Sequence, residues 1–75
     1  LTASRVNWIA GAPPAGRIRA AAQIRHRHRE APGWLTPHDA DHAHMVFDEP
    51  QTAVTPGQAV VFYDDDAVIG GGWID

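Results

Sequence analysis

The chain has no cysteine and no lysine, a single serine, and no long apolar run. Without cysteine, no disulfide can staple the fold and no thiolate can serve as nucleophile or metal ligand. That usage fits a reducing, cytoplasmic setting. The apolar runs fall far short of the roughly 18 residues of a membrane-crossing helix, and the opening residues do not read as a charged-then-apolar signal segment. Without lysine, no phosphate loop ending in Lys-Ser or Lys-Thr exists. The run Gly70-Gly71-Gly72 leads instead into Trp73 and Ile74, which reads as a bulge or a close backbone approach inside a strand. The lone Ser4 stands near the start with no base argued beside it. A self-contained catalytic site is therefore not expected, nor a cofactor held by this chain.

What is present is a 75-residue chain with a formal net charge of −3. A domain of that size buries only about 60% of the surface its unfolded chain exposes, so the core is thin. The first residue is Leu rather than Met, as expected of a processed protein or a domain cut from a longer chain. Charge is divided along the sequence. Residues 1–30 carry six arginines against Glu30 alone, and residues 31–75 carry eight acids with no arginine. Such a split suits one face for a polyanion or acidic partner and another for solvent.

Five of the six arginines fall at alternate positions of RIRAAAQIRHRHR, residues 17–29: Arg17, Arg19, Arg25, Arg27 and Arg29. Alanine and arginine favour helix, but the periodicity does not. Ile18 and Ile24 would lie about 240° apart around a helix, on no shared stripe. With period two, Ile18, Ala20, Ala22 and Ile24 share one face and the arginines take the other. The segment is expected to be a strand, bent or bulged near its three alanines because thirteen residues is long for one.

The other segments read similarly. Strands are expected over residues 4–9, 33–36, 42–48, 58–63 and 67–74, separated by GAPPAG, HDAD, TPG and DDD turn chemistry. In 42–48, Ala43, Met45 and Phe47 share a face opposite His42, His44 and Val46. Pro56-Gly57 suits the centre of a type II turn. Six short strands and no convincing helix imply an all-β fold, a small six-stranded antiparallel β-barrel or a sandwich, over residues 1–75 as one domain. Trp8, Trp34, Trp73, Phe47, Phe62 and Tyr63 are expected in its core.

The arginine face leaves three readings open. Side chains two residues apart on a strand lie about 6.6 Å apart, comparable to the phosphate step of a nucleic-acid strand. Arginine's planar fork grips phosphate oxygens in pairs and stacks on bases. His26 and His28 alternate with these arginines and add charge below neutral pH, so His28 joins the candidate RNA-binding set. The same row also suits a solvated edge strand that uses charge to avoid pairing, or a strand docked on an acidic protein surface. His26-x-His28 and His42-x-His44, with His38, Asp39 and Asp41 near, have workable metal-ligand geometry but no diagnostic spacing, and no metal is assigned. Asp48-Glu49 and Asp64–Asp66 fall in turns, without an apolar pocket to tune them for acid–base work.

Residues 47–74, FDEPQTAVTPGQAVVFYDDDAVIGGGWI, resemble the C-terminal end of bacterial tRNA-specific 2-thiouridylases, the MnmA/TrmU family. Its pattern runs FDEP, AVTPGQ, a short apolar strand ending FY, a turn, then LGGG and a final Ile. Arg25-His26-Arg27 stands where the family has Arg-Tyr-Arg, Pro32 follows at the family's distance, and VNWI (residues 6–9) matches the start of the domain. Gly33 replaces a cysteine common there, and the Asp64-Asp65-Asp66 turn lacks the usual glycine, which puts that hairpin's geometry in doubt.

The resemblance implies a six-stranded barrel that helps hold tRNA, part of a larger enzyme whose ATP-binding catalytic domain is not in this chain. The parent would use ATP and Mg2+ to activate the wobble uridine and a sulfur-carrier protein to make 2-thiouridine. Implied partners are tRNA and the upstream catalytic and central domains, with no membrane. Arg25 and Arg27 carry both the alternation and the resemblance. Arg17, Arg19 and Arg29 rest on alternation alone. The rival is a structural module docked on neighbouring domains, which would show an apolar patch beside the arginine row.

Overall fold

A computed structural model describes residues 1–24, 29–52 and 54–75. Six strands form: β1 (Thr2–Trp8), β2 (Ile18–Ile24), β3 (Ala31–Pro37), β4 (Ala43–Phe47), β5 (Ala59–Asp64) and β6 (Ala67–Ile74). All pair antiparallel, and they close in the order β1-β4-β3-β2-β5-β6 into the expected barrel. Closure gives each strand two partners and leaves no long edge to template aggregation. Among the described residues there is no helix, hence none long and apolar enough to cross a membrane.

The period-two reading holds on β2. Ala20, Ala22 and Ile24 are buried, Ile18 packs against them, and Arg19 points to solvent. Small residues here make room for the large ones opposite. Phe62, Leu35, Met45 and Val60 are the largest fully buried side chains, and the Trp8 and Phe62 rings stack at 6.3 Å. On β4, Ala43 and Met45 face in, with Phe47 packed at the core's margin.

Two expectations need correction. The three alanines hold no bulge: Ile18 to Ala22 pair residue by residue with β3, and Ala21 to Ile24 with β5. The described strand is seven residues long, and all seven are regularly paired. The register shifts fall instead within β1, between Ser4 and Asn7, and between β5 and β6 near Phe62 and Tyr63. In β1, Arg5 takes φ 51°. Gly72 stands opposite this bulge, where a Cβ would meet the Ser4 carbonyl oxygen at 2.8 Å, so the triple glycine does mark a close backbone approach.

The aromatic expectation is the second. Trp8 and Phe62 are core residues, but Trp73 is 43% exposed and Trp34 is half-buried on the outer wall. Their neighbours decide this, since Gly33 and Leu35 beside Trp34, and Ile74 beside Trp73, take the inward positions. The Thr55–Gln58 turn has Gly57 at φ 89° and closes with Gln58 N–H donating to Thr55 O, as a type II turn requires.

Candidate nucleic-acid interface

Strand order fixes what the outer wall presents. Arg19 pairs with Trp34, and Trp34 with Val46, so these three stand side by side across β2, β3 and β4. Arg17, just before β2, lays its guanidinium 4.2 Å from the Trp34 ring centre, and Arg19 comes within 5.1 Å. Arg19 also grips Asp48 in a two-pronged pair, Nη1 donating to Oδ1 at 2.7 Å and Nη2 to Oδ2 at 2.6 Å. Asp48 is held in place because its backbone N–H donates to Pro32 O at 3.0 Å, extending the β3–β4 ladder. The Arg19 hydrogen bonds hold the Asp48 carboxyl below its ordinary value, and Asp48 raises Arg19. Both side chains remain more than 40% exposed, so this pair orients groups more than it stabilises the fold.

Arg17 is different. Its contact among the described residues is the Trp34 ring, and its charge faces solvent. A guanidinium stacked on an indole keeps its N–H edge free for an anion while losing little rotamer freedom. Arg29 lines a recess of about 470 Å³ together with Glu30, Asp48 and Glu49. Arg25, Arg27 and His28, with His26, lie outside the described residues.

The residues match, from 1 to 74, a family model described as the aminomethyltransferase β-barrel domain. The chain belongs to that family. It is 53% identical over 77 residues to the tRNA-specific 2-thiouridylase MnmA of Solibacter usitatus, covering 99% of this barrel domain and 21% of that relative. The MnmA proteins of Trichormus variabilis and Koribacter versatilis are 50% and 53% identical, again over 99% of the barrel domain. The barrel domain thus spans about one fifth of the length of these relatives. The resemblance carried by the DEP, TPGQ and GGG runs is borne out.

His42 and His44 do not act as a pair. His42 Nδ1 donates to Asp39 at 2.7 Å and lies 2.9 Å from Asp41, whereas His44 meets the Thr2 hydroxyl at 3.4 Å. Ligand atoms of Asp39, Asp41 and His42 lie within 4.8 Å of one another, and their mutual hydrogen bonds account for that closeness. An apolar recess of about 350 Å³ opens between Trp8, Pro13, Pro14, Ile18 and Ile69. Its Ile18 lies between Arg17 and Arg19 in sequence but packs against the core.

Sequence reasoning missed two features. Trp34 was assigned to the core, although its position between inward Gly33 and Leu35 signalled the outer wall. Arg5, outside the alternating row, lies 5.5 Å from the exposed Trp73 ring. In the closed strand order β6 lies directly across the barrel from β3, so this second arginine–tryptophan contact belongs to the opposite wall.

Proposed function

We propose that this chain is the tRNA-holding C-terminal barrel of a tRNA-uridine 2-sulfurtransferase that makes 2-thiouridine at the wobble position. Its part is contact with the RNA backbone, and the chemistry belongs to other domains of the parent. The observation that carries the reading is the exposed Arg17 guanidinium laid on Trp34, on a barrel half identical to relatives named for tRNA. Phosphate contacts of this kind position an RNA, while base recognition falls to the catalytic domain. The parent is cytoplasmic, takes ATP and Mg2+, and receives sulfur from a carrier protein. The residues here do not fit ATP: Gly70, Gly71 and Gly72 lie inside β6, and a Cβ on any of them would run into a neighbouring strand's carbonyl oxygen. These glycines serve strand packing.

Binding of the chain to unmodified tRNA between 50 and 200 mM salt tests the reading. Four phosphate contacts predict a loss of roughly 50- to 150-fold over that range, from a slope of about −0.7 to −0.9 per contact. The double Arg25→Ala, Arg27→Ala variant should flatten the slope by about 1.4–1.8. No binding at 50 mM would sink it. A second reading, a module docked on neighbouring domains, is favoured by the apolar recess whose Ile18 is next in sequence to Arg17. It predicts instead that Ile18→Ser weakens capture of the separately produced upstream domains and leaves tRNA binding unchanged.

A further inference from the structure

Resting on the RNA reading, we propose a division of labour among the described arginines of the row: Arg17 contacts phosphate, and Arg19 is a positioning residue whose charge is spent on Asp48. Three observations carry this. Arg19 commits one N–H of each Nη to Asp48, at 2.6 and 2.7 Å, and the carboxylate held there offsets the charge that would attract a phosphate. Arg29 lines one recess with the carboxylates of Glu30 and Glu49, which makes that recess a poorer place for a phosphate than the Arg17 side of the wall. Arg17 is exposed, touches the Trp34 ring, and has no carboxylate partner among the described residues.

The geometry gives each residue a distinct part. Trp34 is flanked in register by Arg19 on β2 and Val46 on β4. The Arg19–Asp48 pair reaches from β2, across β3, to the end of β4, and so ties down the strands on either side of Trp34. Trp34 then offers a fixed flat surface on which the Arg17 guanidinium lies. A planar cation held this way presents its edge to one phosphate and its free face to a base. That combination favours RNA, where a phosphate and a base face recur together at every nucleotide, over an acidic protein surface, where a carboxylate and an aromatic face need not adjoin.

The experiment is the salt dependence of tRNA binding by four chains: unmodified, Arg17→Ala, the double Arg19→Ala, Asp48→Ala, and Asp48→Asn. Tryptophan fluorescence melts confirm that each is folded. Arg17→Ala removes one phosphate contact and should flatten the slope by about 0.7–0.9, roughly a threefold smaller affinity loss between 50 and 200 mM salt. The double variant deletes the pair with no change in net charge: its slope should equal that of the unmodified chain, while its affinity at 50 mM salt falls a few-fold because Trp34 is held less firmly. Asp48→Asn frees Arg19 and should steepen the slope by a similar 0.7–0.9. An Asp66→Asn chain, which loses one acid in the β5–β6 turn, should not. If the double variant flattens the slope as much as Arg17→Ala, or Arg17→Ala leaves it unchanged, the division of labour is overturned while the RNA reading stands. If the unmodified chain shows no salt-dependent tRNA binding, both fall. Equal affinity and slope for poly-glutamate would also overturn the proposal, in favour of an acidic protein surface.

Discussion

Gly33 is where a single methyl group tests the packing that builds the arginine wall. A Cβ at this position would overlap the Val46 carbonyl oxygen and lie 2.8 Å from Phe47 Cα and 2.9 Å from Val46 C. All three are backbone atoms of the β4 neighbour, so no side chain can swing aside. Ordinary contact begins near 3.4 Å, so β4 must retreat from β3 by at least several tenths of an ångström. Overpacking of this kind costs about 1–3 kcal/mol, and a ladder hydrogen bond weakened by the retreat adds about 0.5–1.5 kcal/mol. Gly33→Ala should therefore destabilise by about 2–4 kcal/mol, a fall in Tm of roughly 10–25 °C for a domain of this size. Because Gly33 lies between Pro32, which anchors Asp48, and Trp34, tRNA affinity should fall too at temperatures where the variant is folded. Gly16 is the control: nothing lies within 4 Å of its Cβ position, and Gly16→Ala should hold or raise stability by up to about 1 kcal/mol. Paired thermal melts decide it. If Gly33→Ala melts within 2–3 °C, roughly the scatter of such comparisons, of the unmodified chain, the close β3–β4 approach is wrong.

Other outcomes follow from particular groups. The hydrogen bond to Asp39 raises the His42 pKa, and the same bond lowers that of Asp39. The His42 contribution is fully present below its unfolded value of 6.5 and is lost as pH rises through the raised folded value. The Asp39 contribution is present above its unfolded value of 3.8 and is lost as pH falls through the lowered folded value. Stability from this loop thus peaks between pH 3.8 and 6.5, and melts of His42→Gln should lack the decline above that window. Asp65 sits at φ 54° in the β5–β6 turn, a conformation glycine adopts without steric cost. Asp65→Gly should raise Tm by a few degrees, about 0.5–1 kcal/mol, and a lowered Tm would contradict the turn geometry.

How much of this was legible in the sequence depends on how local each feature is. The inward set on β2, the Pro56-Gly57 turn and the alternation in β4 were all readable, because period two and turn chemistry act over a few residues. The Arg19–Asp48 pair was not. Its partners are 29 residues apart and on strands that never touch, so it exists only once the order β4-β3-β2 is known. The tryptophans were misplaced by weighing residue type above position: Trp34 alternates with inward Gly33 and Leu35, and that parity outranks its size. The bulge was sought at the alanines because the arginine row looked like one long strand. It formed instead at Arg5, opposite Gly72, where the partner strand has no side chain to resist it.

The central claim is that the β2–β3 wall of the barrel, and not the wall across from it, faces RNA. A map of backbone amide shifts in the ¹⁵N-labelled chain, titrated with unmodified tRNA at low salt, tests this directly. The account predicts shifts concentrated at Arg17, Arg19, Trp34 and their ladder partners, with the amides of Arg5 and Trp73 on the opposite wall unmoved. Shifts centred on β6 and β1, or none at any tRNA concentration, would contradict it.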